Sequence, residues 1–258
     1  MIGCIIQARM GSSRLPGKVM KLIDDKNPIL YYVIKQLEHS KLIDKLVVAT
    51  STLPEDDIID NYVKKIGIEC FRGSEKDVLD RHYQCAKKFS FEIIVRIPSD
   101  KPLIDPEIVD NVIKKFTSDH YDYVTNFLPY SFPYGTEVEV FSFNALESTW
   151  KNSKLPSERE HVTPYIYKNK KNFRIFNLTN SKDLSKYRWE VDRENDLKLV
   201  RMIVAKIMDR PILTKNIIHL FSKEPNLIKI NQTDIPDEGY IKSLKEDKEF
   251  RETKNHTL

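Results

Sequence analysis

The first 118 residues alternate between short apolar runs and longer stretches with a one-sided apolar pattern, and few architectures accommodate that order. Ile2–Gln7, Lys45–Thr50, Ile68–Phe71 and Phe91–Ile97 are brief and almost wholly apolar, as strands buried on both faces are. Between them, Pro28–Glu38 places Ile29, Leu30, Val33, Ile34 and Leu37 at helical spacing, and Glu55–Ile66 and Asp77–Phe89 repeat the pattern. Ser74-x-x-Asp77 precedes the third helix as a variant capping box. Asp105-Pro106-Glu107 opens a fourth: an acceptor cap, a proline at the first position, an acid in the first turn. Strands joined by helices require right-handed crossovers and a mainly parallel sheet, so the fold class is α/β in three layers. Ligands of such sheets bind beyond the carboxyl ends of the strands.

The second half is less regular. Tyr121–Asn126, Thr136–Phe141, Phe173–Leu178 and Tyr187–Val191 read as strands, and the alternation in Thr-Glu-Val-Glu-Val-Phe predicts one wet face. Phe143–Lys151 and Glu158–Lys168 read as helices, the latter interrupted at Pro164. A strong amphipathic helix follows Asp192. No linker divides the chain, so residues 1–242 form one domain, with a nucleotide-binding half to about 118 and an acceptor half from 119. Residues 243–258 are charged and lack apolar periodicity, which predicts a frayed helix or tail. The net charge of +4 is small and dispersed and argues against a nucleic-acid partner. No apolar run approaches a membrane span, and Cys4, Cys70 and Cys85 are too few and too scattered for a disulfide framework or a zinc site. A cytoplasmic protein with reduced thiols is expected.

Gln7-Ala8-Arg9-Met10-Gly11-Ser12-Ser13-Arg14-Leu15-Pro16-Gly17-Lys18 leaves the first strand with three cations, two glycines and two serines. Such a loop can wrap backbone amides around an anion while the cations neutralise it. It is not a P-loop: Gly11 and Gly17 are misspaced and Val19 follows the lysine. The dinucleotide fingerprint G-x-G-x-x-G is also absent.

Ile5–Lys18 resembles the opening of the cytidylyltransferases that make CMP-activated sugar acids, the acylneuraminate and 3-deoxy-manno-octulosonate enzymes, above all the branch named after spore coat polysaccharide biosynthesis. The resemblance continues in order through Phe71–Arg81, Arg96–Pro106, Arg159–Tyr165 and Trp189–Leu197. It implies a Rossmann-like fold of the nucleotide-diphospho-sugar transferase type, CTP as donor, Mg²⁺ as cofactor, a small acidic acceptor and a homodimer.

Carried over residue by residue, the resemblance assigns Ala8, Gly11, Ser12, Ser13 and Ser99 to nucleotide binding. Arg9 and Lys18 supply charge to the phosphates. Arg14 either joins them or faces a structural carboxylate. Asp100, just past the fourth strand, would hold Mg²⁺ and act in catalysis with Arg9 and Lys18. Asp192 would be the second metal ligand, although it also stands where a helix cap belongs, with Asp196 in the first turn. Thr50, Arg72 and Ser74 match the nucleobase positions, with Ser74 equally suited to capping. Glu137, Glu139, Arg159, His161 and Thr163 match the acceptor region, which departs from the family at Tyr134, where the family usually has aspartate. Arginine and histidine there would suit a carboxylate or phosphate.

The expected reaction is in-line attack of an acceptor oxygen on the α-phosphorus of CTP with loss of pyrophosphate, driven by positioning and charge neutralisation. A phosphorylated sugar, polyol or amide as acceptor, giving a CDP-linked product, is the alternative. A metal-dependent glycosyltransferase needs a D-x-D motif that Ser99-Asp100-Lys101-Pro102 lacks. A non-catalytic nucleotide-binding module is the remaining reading.

Overall fold

Both faces of β1 (Ile2–Gln7) are apolar because the strand lies at the middle of the sheet, with β2 (Lys45–Ser51) on one side and β4 (Ile93–Pro98) on the other, both parallel to it. The computed structural model describes residues 1–232 and 238–255. β3 (Glu69–Gly73) pairs with β2, and β5 (Tyr123–Thr125), β6 (Glu139–Ser142) and β7 (Ile175–Asn177) complete a seven-stranded sheet of order β3-β2-β1-β4-β6-β5-β7. Only β6 runs antiparallel to its neighbours.

The helices cover both faces. On one lie α1 (Ile29–Leu37), α2 (Asp57–Lys65), α4 (Pro106–Thr117), α8 (Glu194–Lys206) and α9 (Thr214–Lys223), around a core that includes Val33, Ile97, Val109 and Val200. On the other lie α3 (Val78–Lys88), α5 (Phe143–Asn152), α6 (Pro156–His161) and α7 (Pro164–Lys168), around Ile5, Leu79, Phe141 and Ile166. The three-layer α/β architecture is as the alternation predicts. Asp105 caps α4 as expected, accepting from Glu107 N at 2.8 Å. Ahead of α3 the cap is Asp77, and Ser74 sits a turn earlier, taking the Asp77 amide at 3.1 Å. The three cysteines are free, and burial pushes the thiols of Cys70 and Cys85 up to about 12.

Three expectations need correction. Thr136–Phe141 has no wet face: Glu137 and Glu139 are buried, because cations from the β4 side neutralise them. Tyr187–Val191 forms no strand. It crosses the sheet rim and is held by an isolated bridge to Tyr134, with Tyr134 N bonding Tyr187 O at 3.0 Å and Trp189 N bonding Tyr134 O at 2.9 Å, and by Val191 N to Asp100 O at 2.8 Å. Residues 243–255 take the helical option of the expected frayed helix or tail, but the boundary at 242 falls inside α10 (Glu238–Asn255), which docks on α6; residues 256–258 lie outside the described residues. Ser243 and Asp247 are buried there, and Asp247 accepts from Ser157 N and Oγ at 2.8 and 2.6 Å. Polar docking of this kind leaves no apolar period to read. No described helix is long and apolar enough to cross a membrane.

Candidate active site

From β1 the chain passes on to β2 and from β4 it passes on to β5, in opposite directions along the sheet, so a crevice opens at the carboxyl ends of this strand pair. Residues 8–18 leave β1 on one side of it and residues 99–101 leave β4 on the other, joined at the base by Ser99 N to Gln7 O at 3.0 Å. The loop folds on itself. Met10 O accepts from Ser12 N at 2.8 Å and from Gly17 N at 3.1 Å, and Asp56 takes the Met10 amide at 2.7 Å. Gly17, at φ +64°, makes the left-handed turn that aims Lys18 inward. The cleft so formed measures about 930 Å³.

At its centre Lys18 Nζ donates to Asp100 Oδ2 at 2.9 Å, Asp192 Oδ1 at 2.8 Å and Val191 O at 3.0 Å. Burial works against the ammonium, but the two carboxylates overcome it and raise its pKa. Burial likewise disfavours the Asp192 carboxylate, but Lys18 and Arg14 hold its pKa well below the usual range. Arg14 Nη2 bonds Asp192 Oδ1 at 2.8 Å, so of its two expected roles the structure displays the carboxylate one. Asp192 does not cap α8. Asp196 does, accepting the amides of Asp192 and Arg193 at 2.9 Å each, which leaves the Asp192 carboxylate to the cleft.

Asp100, Glu190 and Asp192 bring oxygens within 4.8 Å of one another. Asp100 Oδ1 is buried and has no hydrogen-bond partner among the described residues. A buried carboxylate oxygen left unsatisfied beside two further acids is the donor set a hard divalent cation accepts. Burial, the first cause, and the neighbouring acids push the Glu190 carboxyl up to about 8, against the pull of Lys101. Gly135, at φ +100°, lets this strip approach: a Cβ there would stand 2.7 Å from Glu190 N.

Toward β6 the cleft is built from buried ion pairs. Lys101 pairs with Glu137, and Arg96 with Glu139 directly across the β4–β6 register. Glu139 also accepts from Tyr123 at 2.7 Å and from Thr163. Between α6 and α7, Thr163 N bonds His161 O at 2.9 Å around Val162 at φ +72°, a strained γ-turn. His161 Nε2 meets Ser243 Oγ of α10 at 2.9 Å, and Tyr240 of α10 packs edge-on to the ring at 5.2 Å. Burial, then the charges of Arg96 and Arg9, push the imidazole down to about 4, so it is neutral at physiological pH. Arg159 is committed to Asp77, at 2.9 Å through Nε, and to Trp150 O at 2.8 Å. Neither residue is therefore a free cation for an acidic acceptor.

Ala8, Arg9, Gly11, Ser12, Ser13, Arg14, Lys18, Ser99, Asp100, Glu137, Glu139, Arg159, His161 and Asp192 all line the cleft. Thr50, Arg72, Ser74 and Thr163 do not. Thr50 is buried within β2, Thr163 is turned to Glu139, and Ser74 serves the α3 cap. Arg72 is drawn outward to Ser51 O and Leu53 O, both at 2.9 Å, and to Asp57 at 2.5 Å. In their place the cleft contains Lys76, Arg81, Arg96, Lys101, Glu160 and Glu190. Glu190 adjoins Asp192 in sequence, and Lys101 adjoins Asp100, so adjacency to the expected acids could have flagged both. Arg81 closes the Phe71–Arg81 segment and Glu160 stands between Arg159 and His161, so position within the matched segments could have flagged these two.

Residues 3–224 match the family model described as Cytidylyltransferase. The chain is 38% identical over 229 residues to an uncharacterized protein of Methanocaldococcus jannaschii, covering 88% of this chain and 93% of that one. It is 32% identical over 239 residues to the spore coat polysaccharide biosynthesis protein SpsF of Bacillus subtilis, covering 89% and 98%. Among solved structures, a cytidylyltransferase from Leptospira borgpetersenii superposes with a TM-score of 0.85 at 33% identity, covering 91% and 98%. A CMP:2-keto-3-deoxy-manno-octonic acid synthetase complexed with CTP shares the fold at a TM-score of 0.62 and 19% identity, covering 80% and 98%. With its crevice, its cationic loop and a family match that spans most of its length, this chain belongs to the cytidylyltransferase family and is a nucleotidyltransferase.

Proposed function

We propose that the enzyme transfers CMP from CTP to a sugar acid of the nonulosonic or octulosonic type, releases pyrophosphate, and thereby supplies surface polysaccharide synthesis. The observation that carries this reading is the meeting, in one crevice, of the Arg9–Lys18 loop with Asp100 and Asp192. The names of the relatives, which cite polysaccharide biosynthesis and CMP-sugar acid synthesis, support the substrate class. Asp100 and Asp192 fit Mg²⁺, given the unsatisfied buried Asp100 oxygen, and Glu190 lies within reach of the same ion. Bound there, Mg²⁺ would neutralise phosphate oxygens and lower the pKa of the acceptor hydroxyl.

The chain's own groups do the rest. The amides of Gly11 and Ser13 cradle the triphosphate, the Ser12 amide being engaged by Met10 O within the loop. Arg9 and Lys18 offset charge developing on pyrophosphate as it leaves. Lys18 also holds Asp100 and Asp192 at a fixed spacing, so the site is organised before substrate enters. Lys101 and Glu137 wall the acceptor side, and α10 roofs it. A cytoplasmic homodimer is the form in which we place the enzyme.

The test is mass spectrometry of products from CTP, Mg²⁺ and a panel of nonulosonic acids, octulosonic acids and phosphorylated polyols. A CMP-linked sugar acid, formed by the wild type and lost in Asp100→Asn, supports the reading. A CDP-linked product from a phosphorylated acceptor moves the enzyme to the alternative class, and full turnover by Asp100→Asn refutes the role of that acid.

A further inference from the structure

Arg81 lies on α3 with 1% of its surface exposed, yet it lines the cleft. Its Nη1 donates to Ser74 O at 2.9 Å, while its Nε is buried and has no hydrogen-bond partner among the described residues. A guanidinium cannot shed its proton and has only donors, so a buried one with an unfilled donor calls for an acceptor from outside the chain. Its neighbourhood sharpens that demand: burial and the charge of Arg9 both disfavour the cation, and Glu160, Asp56 and Glu75 only partly offset them.

Glu160, on α6, faces the same end of the cleft. One carboxylate oxygen accepts from Arg9 Nη2 at 2.6 Å, and burial raises the carboxyl's pKa in spite of Arg9 and Arg81. The cleft wall therefore presents a fixed donor and a fixed acceptor near each other, on helices that pack together.

The sheet order separates the regions of the cleft. Asp100 and Asp192 mark the β1–β4 crevice, where the reacting phosphate belongs. Lys101 and Glu137 lie toward β6, and Arg81 follows β3 at the far end. A nucleotide anchored by its phosphates in the crevice extends its base toward one end and meets its acceptor at the other. We propose that Arg81 and Glu160 read the nucleobase and make the enzyme choose CTP over UTP. The proposal rests on CTP binding in this cleft, and it gives the task to residues other than Thr50, Arg72 and Ser74, which the structure turns elsewhere.

The chemistry is complementary. Cytosine offers a donor at N4 and acceptors at N3 and O2, so Glu160 accepts from the amine while Arg81 donates to the ring nitrogen and carbonyl. Uracil reverses two of the three positions: O4 would face the carboxylate and N3–H the guanidinium. Both contacts become repulsive, and discrimination by buried mismatch is far stronger than by fit alone.

Calorimetry of Mg²⁺–CTP and Mg²⁺–UTP binding to the wild type, Arg81→Gln and Glu160→Gln tests this. A glutamine amide presents either an oxygen or an NH₂ group and so tolerates both bases. The wild type is expected to prefer CTP, and each variant to narrow the UTP/CTP ratio of Kd values by roughly 5- to 150-fold, mostly through weaker CTP binding. Equal weakening of both nucleotides overturns the proposal, because a residue that merely shapes the Ser74 loop or attracts phosphate acts on CTP and UTP alike. An unchanged ratio overturns it as well. If Arg81→Gln fails to fold by circular dichroism, Glu160→Gln decides the matter with the same readout. A wild type that binds neither nucleotide refutes the CTP reading itself, whereas CTP preference that survives both substitutions refutes only this inference.

Discussion

Replacing Lys18 by methionine keeps the length of the side chain and deletes its charge. Three hydrogen bonds vanish, and Asp100 and Asp192 lose the cation between them while Glu190 remains within 4.8 Å. Removing one partner of a buried pair costs about 3–5 kcal/mol. The side chains of Lys18 and Asp192 are only 11% and 10% exposed, so little solvent screening reduces that figure. Arg14 and Arg188 still attend Asp192, which places the expected loss at the lower end, about 3 kcal/mol. For a domain of this size that is a fall in Tm of roughly 6–12 °C. The folded Lys18 titrates above the ordinary lysine range, so its contribution is complete below that range and is lost only as pH rises through it. Asp192 titrates below the ordinary carboxylate range, so its contribution is complete above that range and is lost only as pH falls toward the lowered value. The gap between wild type and Lys18→Met should thus be flat from about pH 5 to 9. Mg²⁺ should raise the Tm of the variant more than that of the wild type, since it restores the missing charge. Thermal unfolding with and without Mg²⁺ measures both. A Tm within about 2 °C of wild type, with no differential response to Mg²⁺, would refute the idea that Lys18 holds the acids together.

Gly135→Ala puts a methyl group 2.7 Å from Glu190 N in a backbone conformation alanine resists, so the variant should lose about 1–3 kcal/mol in denaturant unfolding and most of its nucleotide transfer, through displacement of the Glu190–Asp192 strip. Asp247→Ala removes the acceptor of Ser157 N and Oγ; α10 should then exchange its amides faster by hydrogen exchange while the sheet is unaffected. Glu190 is raised to about 8, so its burial penalises the folded state increasingly as pH climbs from the ordinary glutamate value. Glu190→Gln should accordingly gain Tm over the wild type between about pH 5 and 8, and a constant difference across that window would contradict the assignment.

The fold was legible because β1, β2 and β4 are buried on both faces and read as largely apolar runs, with helices of clear period between them. The Gln7–Lys18 loop was legible for a different reason: three cations and two glycines crowd one short segment. Other parts were hidden by the limits of pattern. Glu137 and Glu139 alternate with apolar residues as a solvated strand face does, and nothing local announces that Lys101 and Arg96 neutralise them from another strand. Asp192 and Asp196 both suit a helix start, and only the backbone path shows that Asp196 takes the amides. Arg72 sits in a matching motif, but two carbonyls and Asp57 draw it outward. α10 reads as a frayed helix or tail because it docks through Tyr240, Ser243 and Asp247 rather than an apolar stripe.

A crystal structure of the protein with CTP and Mg²⁺ tests the central claim most directly. The triphosphate is expected on residues 9–18 and the ion on Asp100 and Asp192. A nucleotide bound outside this crevice, or an ion held by other groups, would contradict it.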